Sequence, residues 1–403
     1  MPTNSLLSID MITRELMFQL ENNLTFTKYV NRNYDDTFAR TGAKIGDTVT
    51  IRLPPLFTGR VGRVVNIEAL QEQSVALTLD RQFGVDLDFS SKDLELTIDD
   101  FSARFLRSAA ATIANDIDFQ GLSEYINVHN AVGTPGTIPN ALLTYLDAAA
   151  LLDEEAVPRD GMRSNIVDPR MQSSIVNALS GLFHSSSEIE RQYEEGTMGM
   201  NSGFKWSMDQ NINKHTVGPQ GGTPLVNGAS QTGSSLITDG WTAAAAVRLN
   251  RGDVITLAGV NAVNPRSKQD TGQLRQFVVT AQASSDGSGN ATLSIDPPIT
   301  TSGAYQTVTA SPANNAAITV LGAAGIVSPQ GLAFHRDAFV LGMADLPLPR
   351  GTHEAARISD EQLGVSVRMI WDYDPVNDLF ICRTDVLYGW VTARPELAVR
   401  VAA

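Results

Sequence analysis

The stretch Ser74–Ile117, SVALTLDRQFGVDLDFSSKDLELTIDDFSARFLRSAAATIANDI, changes hydrophobic period partway along. From Ile45 to Phe89 the apolar residues stand at every second position, and from Ile98 to Ile117 at every third or fourth. The first pattern predicts strands, the second an amphipathic helix. Val49, Ile51 and Leu53 form an outgoing strand that Pro54-Pro55 ends, because proline cannot donate to a ladder. Gly59, Arg60, Gly62 and Arg63 form a basic tip, Val75, Leu77 and Leu79 return from it, and Phe83 to Phe89 form a further strand. A long hairpin joined directly to a long helix buries little of itself, so this arrangement calls for a neighbouring subunit.

The helix is predicted over 97–128. Thr97 and Asp100 have capping-box spacing, and Asp99 and Asp100 lie at the positive end of the dipole. Phe101, Phe105, Ile113 and Ile117 lie on one apolar stripe, and Leu106, Ala110 and Ala114 on a second. The helix should therefore pack on two sides, with the first four residues anchoring the core.

Outward from this centre, Ile9, Ile12, Leu16, Leu20 and Leu24 predict a helix over about 8–24 within an arm 1–40. Residues 41–90 are the extended hairpin region and 91–130 the helix region. Residues 131–217 read as α/β, with a helix from Ala141, a strand Asn165–Val167, and a helix started by Asp168 as cap and Pro169 as first residue. The polar stretch 185–203 reads as a loop. Gly218 to Ser235 is linker-like, and strands are predicted at Val254–Ala258, Gln276–Ala281, Ala291–Ile295 and Ala317–Leu321, with a hairpin turn at Asp286–Gly289. The segment 218–328 is thus an inserted all-β domain. Residues 329–403 return to mixed composition, with a hairpin of Val365–Trp371 and Leu379–Tyr388.

The 403 residues are 42% hydrophobic and only 18% charged, enough for sizeable cores beneath a weakly charged surface. The net charge of -14 opposes strong attraction to nucleic-acid phosphates. Cys382 is the one cysteine, so no disulfide forms within the chain, which suits a reducing cytoplasm. No secretory signal or membrane-length apolar run is visible, and no membrane partner is expected.

Catalytic motifs fail on context. His335-Arg336-Asp337 resembles the start of a kinase catalytic loop, but Gly342 stands where asparagine is required. Arg251-Gly252-Asp253 copies an adhesion tripeptide yet sits where a turn enters a strand. The five histidines are scattered, so no local metal set exists. The acidic run Asp153–Glu155 and the pair Glu194-Glu195 read as solvated faces. No catalytic, cofactor or metal residue is assigned.

Gln73–Leu79 with Ile98–Phe101, Asn165–Arg170 with Leu182–His184 and Met208–Gln210, Leu249–Val260, and Leu387–Trp390 with Ala393–Glu396 form an ordered set of segments. Together they resemble the major coat proteins of tailed phages, specifically the family typified by phage P22. The resemblance implies an α+β fold of the Hong Kong 97 (HK97) type with an inserted β domain. Its parts would be an N-terminal arm (1–40), an extended loop (41–90), a peripheral domain with a spine helix (91–130), and an axial domain (131–217). The insert (218–328) and a return segment (329–403) would complete it. It also implies self-assembly into capsomers and an icosahedral virion shell, built in the bacterial host cytoplasm around DNA held without sequence preference. A scaffolding protein and a portal are the implied partners.

Arg60 and Arg63 are the expected intersubunit contacts. The tip carries no lysine, and Lys44 lies at its base, so a shell without covalent crosslinks is expected, because guanidinium stays protonated and nucleophilically inert. Two other classes compete: an enzyme with a site assembled from distant residues, and a monomeric β-rich cell- or carbohydrate-binding module. The latter would need exposed aromatics among Trp241, Phe277 and Tyr305.

Overall fold

The structure, a computed structural model, describes residues 9–32, 48–59, 62–65, 67–68, 72–90, 106–179, 199–360 and 364–403. The chain divides into two compact units, residues 1–51, 74–121 and 339–391, and residues 52–73, 122–338 and 392–403. Among the described residues the long helices are α1 (Ile9–Asn23), α2 (Arg107–Ser123), α3 (Leu142–Glu154) and α4 (Pro169–Leu179).

In the first unit, α1 buries Leu16, Met17 and Leu20, in keeping with their helical spacing. Helix α2 is rich in alanine, the best helix former. It buries Ala109, Ala110, Ile113, Ala114 and Ile117, and Leu106 just before it is buried too, so the described members of each predicted stripe are covered. Phe101, Phe105, Thr97 and Asp100 lie outside the described residues. A sheet of the strands Phe339–Met343, Glu354–Asp360, Val365–Asp374 and Leu379–Thr392 also takes in Arg81–Ser90, which runs antiparallel to Leu379–Tyr388 from end to end.

The extended hairpin is shorter than its alternation suggests. Among the described residues Thr48–Arg52 pairs with Ser74–Thr78, and Arg81–Ser90 joins the other sheet. Apolar alternation marks a half-buried face but does not identify the strand beside it. The described residues between 53 and 73 hold no strand, as expected beyond Pro54-Pro55.

The second unit is built on a mixed sheet ordered Ala131–Gly133, Ala398–Ala402, Val327–His335, Arg163–Val167, Phe204–Met208, Met200–Asn201. Helix α3 covers this sheet through Tyr145, Ala148, Ala149 and Leu152, and the Tyr145 ring lies 4.8 Å from that of Trp206. Helix α4 starts as its sequence predicts, with the Arg170 amide donating to Asp168 Oδ2 at 3.0 Å. The stretch 180–198, including His184, Glu194 and Glu195, lies outside the described residues.

Six antiparallel strands between Gly222 and Val320 form a β-barrel in the order Ile318–Val320, Val254–Val263, Asp270–Val279, Ala291–Ile299, Gly233–Trp241, Gly222–Val226. A bridge between Leu225 and Ala317 closes it. Leu236, Trp241, Ile255, Leu257, Phe277, Leu293 and Ile295 fill the interior. The linker-like reading of 218–235 is corrected: Gly222–Val226 and the start of Gly233–Trp241 are barrel strands. Their outward positions are Thr, Ser and Gly, which resemble linker composition, while Val226 and Leu236 face inward. The Asp286–Gly289 turn is present, but the strand before it, Ala283–Ser285, pairs with Ala246–Leu249 rather than with the strand after it.

Candidate assembly elements

Contacts between its two sides tie the described part of the extended loop together. The Leu53 amide donates to Gln73 O at 2.8 Å, and the Thr58 amide to Glu68 Oε2 at 2.9 Å. Arg52 lies 3.8 Å from Glu72. Bonds from Thr58 keep the Glu68 carboxyl below its usual range. Arg63 is exposed, and Arg60 lies outside the described residues. The sequence reading treated this tip as basic and missed its apolar content. Phe57 (57% exposed), Val64 (85%), Val65 (71%) and Ile67 (88%) all stand in solvent. Large apolar side chains gathered on one exposed loop mark an interaction surface.

The segment Leu387–Trp390 is a structural lock. Tyr388 OH donates to Asp116 Oδ2 on α2 at 2.5 Å, and Arg81 reaches the same carboxylate from its strand through Nε at 3.0 Å. Burial first, then this bond, push the Tyr388 phenol far above its usual range. Gly389 leaves room for the neighbouring strand, since a Cβ there would lie 1.9 Å from Thr78 O. Trp390 Nε1 donates to Ile117 O at 3.1 Å, and its ring lies 5.3 Å from that of Phe26. Each of the three residues thus ties a strand to α2 or to the strand beside it.

Asp118, one turn after Ala114, is buried and faces the end of α1. It accepts from the Thr25 amide at 2.6 Å, the Thr27 amide at 3.0 Å and the Thr27 hydroxyl at 2.7 Å. Burial raises its carboxyl above the usual range, and the bonds oppose that shift.

At the barrel's base, Asp253 of the adhesion-like tripeptide is buried. It accepts from His215 Nε2 at 2.8 Å, the Asn250 amide at 2.8 Å and the Gly218 amide at 3.0 Å. Gly252, with φ of 95°, leaves no space for a Cβ, which would lie 2.6 Å from Ile126 Cγ1. Its carbonyl accepts from Arg400 Nη1 at 2.8 Å. Arg400 is fully buried, with Cζ 5.8 Å from the centre of the Tyr125 ring; burial lowers its guanidinium to about 10, against the pull of Tyr125 and Asp253. The tripeptide is the foundation of the barrel rather than a displayed ligand.

His335 binds Asp160 at 3.1 Å within a polar turn, as its context implies. The acidic run Asp153–Glu155 is corrected. Glu155 is buried and paired with Arg275, and Asp153 Oδ1 accepts from Arg163 Nη2 at 2.9 Å. Cys382 is buried, which pushes its thiol up to about 11. Trp241 and Phe277 lie in the barrel core, so they offer no exposed platform for a sugar. Among the described residues, no group of three or more His, Cys, Asp or Glu side chains could hold a metal ion, and no helix is long and apolar enough to cross a membrane.

Comparison with known proteins follows the same line. No curated protein sequence matches the chain. Among solved structures, one from Mycobacterium phage Che8 is 14% identical, covering 94% of this chain and 90% of that one with a TM-score of 0.46. The capsid of Ralstonia phage GP4 is 8% identical, covering 94% and 88% with a TM-score of 0.47. The virus-like particle from Pyrococcus furiosus is 8% identical, covering 97% of each chain with a TM-score of 0.39. The family described as "P22 coat protein - gene protein 5" matches residues 1–401. With its α+β architecture, its closed β-barrel and a match along nearly the whole sequence, the chain belongs to the P22 coat protein family.

Proposed function

We propose that this coat subunit acts by self-assembly, forming pentamers and hexamers of an icosahedral shell around double-stranded DNA, with the extended-loop tip of one copy seated on its neighbour. The observation that carries this reading is the exposure of Phe57, Val64, Val65 and Ile67 on that tip. Arg60 and Arg63 would add ion pairs with carboxylates of the neighbour. The magnitudes rank the two contributions. Fully burying a valine or isoleucine contributes about 1.5–3 kcal/mol, whereas an exposed ion pair contributes about 1 kcal/mol or less. The apolar residues should therefore dominate the contact, with the arginines setting its register.

The domain reading goes with this function: arm 1–40, extended loop 41–90, peripheral domain 91–130, axial domain 131–217, insert 218–328 and return 329–403. A barrel that closes between Gly222 and Val320 supports the insert boundaries. A scaffolding protein and a portal would be partners during assembly in the host cytoplasm. The DNA would be held weakly and without sequence preference, given the net charge of -14. The reaction is association, and no bond-making step is assigned to the chain.

Expression of the chain with and without a co-expressed scaffold, followed by sedimentation and electron microscopy, tests the proposal. Closed particles are the expected result. Val64→Asp combined with Ile67→Asp should leave a folded subunit that forms none, and Arg60→Glu with Arg63→Glu should weaken assembly less. Normal shells from the double aspartate variant would remove the tip from the contact.

A further inference from the structure

The barrel leaves the rest of its unit by two adjacent segments, with the Val217 amide donating to Ile326 O at 2.9 Å and the Gly325 amide to Val217 O at 3.1 Å. A second set of contacts, made by the strand Asp270–Val279 and the loop before it, holds the barrel against the segment 127–131 and the end of α3. Gln276 closes two bonds with the Ala131 backbone, accepting from N at 2.6 Å and donating to O at 2.8 Å. Asn264 Nδ2 donates to Glu154 O at 2.8 Å. Arg275, buried, donates through Nη1 to Glu155 and through Nη2 to His129 Nε2 at 2.8 Å.

That last bond fixes the state of the imidazole. Arginine has donors only, so Nε2 of His129 must be the acceptor, and the ring is neutral with its proton on Nδ1. Nδ1 finds no acceptor at hydrogen-bond distance, and Asp296 Oδ2, on the barrel strand Ala291–Ile299, lies 4.0 Å away. The charged groups around the ring are Arg275 and Asp296 from the barrel, and Arg400 from the strand Ala398–Ala402. Glu155, with Glu154 and Glu396 acting on it, faces Arg275. Burial first, then Arg275 and Arg400, hold His129 well below the ordinary imidazole range. Burial also raises Asp296, which makes it a poor counter-ion.

We propose that His129 is a proton-operated latch between the inserted barrel and the central sheet: neutral, it accepts Arg275 and holds the barrel strand down; protonated, it loses that role, places two cations together and lets the barrel open. The sign follows from linkage. The opened ring takes a proton near pH 6.5 while the latched ring refuses it, so the latch is at full strength above that pH and weakens as pH falls below it. For one proton, the open population should rise about tenfold between pH 7.5 and 5.5.

Hydrogen exchange on the full chain as an isolated subunit, corrected for intrinsic rates, reads this directly and does not depend on shell formation. In the wild type, segments 270–279 and 127–133 should open about tenfold more at pH 5.5 than at 7.5. In His129→Gln, whose amide oxygen still accepts Arg275 but takes no proton, the response should be flat. In Gln276→Ala both segments should open more at every pH and keep the wild-type slope. A flat wild type, or His129→Gln with an unchanged slope, would overturn the latch. Should His129→Gln not fold, nitrogen NMR of the wild-type imidazole decides. A bare Nε2 and a protonated Nδ1 that persist well below pH 6.5 support the latch; the opposite tautomer, or titration at 6.5, overturns it.

Discussion

Asp118 and Asp385 show how single carboxylates hold the first unit together. Asp118→Ala would leave the Thr25 and Thr27 amides and the Thr27 hydroxyl without their acceptor in a buried setting. Each such group costs about 1–3 kcal/mol, so a loss of about 3 kcal/mol is expected in urea unfolding. Asp385 is buried, which raises its carboxyl, but bonds from Arg383 and Arg368 outweigh that and hold it below its usual range. Arg368 Nη2 donates to it at 2.5 Å and Arg383 Nε at 2.8 Å. A depressed carboxylate contributes stability that is present above about pH 4 and is lost as pH falls through its folded value. Arg368→Met should cost about 3 kcal/mol at pH 7 and start acid unfolding at a higher pH, as seen in stability curves against pH. The pairing of these carboxylates was not legible in the sequence. Asp118 is 91 positions from Thr27, and Asp385 shares no motif with its arginines beyond proximity to Arg383.

At the scale of elements, α2 was the most legible because its own residues report both its faces. Ile113 and Ile117 are buried where their spacing puts them. The strand Arg81–Ser90 was legible as a strand but not as the partner of Leu379–Tyr388, since alternation does not identify a neighbour. The close approach of the strand Leu379–Thr392 to Thr78 rests on Gly389. Gly389→Ala would set a Cβ 1.9 Å from Thr78 O, and the overpacking should cost about 3 kcal/mol, visible as a lowered Tm and poor soluble yield. The barrel strands Gly222–Val226 and Gly233–Trp241 escaped notice because most of their outward residues are small or polar, with Ile237 the exception. A barrel needs only one face of each strand to be apolar.

For the whole molecule, a family match over residues 1–401 places the chain among coat proteins, and the shell is the scale at which its low charge makes sense. The extended loop of a noncovalent shell should release its neighbour on denaturation. Particles boiled in denaturant should therefore run as single chains on a gel, and a ladder of linked subunits would contradict the absence of lysine from the tip. The candidate contact itself was half legible. Gly59, Arg60, Gly62 and Arg63 announced an exposed tip, but only the structure put Phe57, Val64, Val65 and Ile67 into solvent, because apolar residues in a sequence are read as core by default.

The sequence alone determined the α+β class, the family and the type of the strongly periodic elements such as α1 and α2, since periodicity, caps and motif order are local or linear properties of the chain. Tertiary structure alone decided the strand neighbours, the closing of the barrel, the burial of Glu155, Asp253 and Arg400, and the bond from Arg275 to His129. Those depend on which residues meet across tens of positions to well over a hundred, and nothing in a residue's own neighbourhood along the chain encodes the partner that desolvates it.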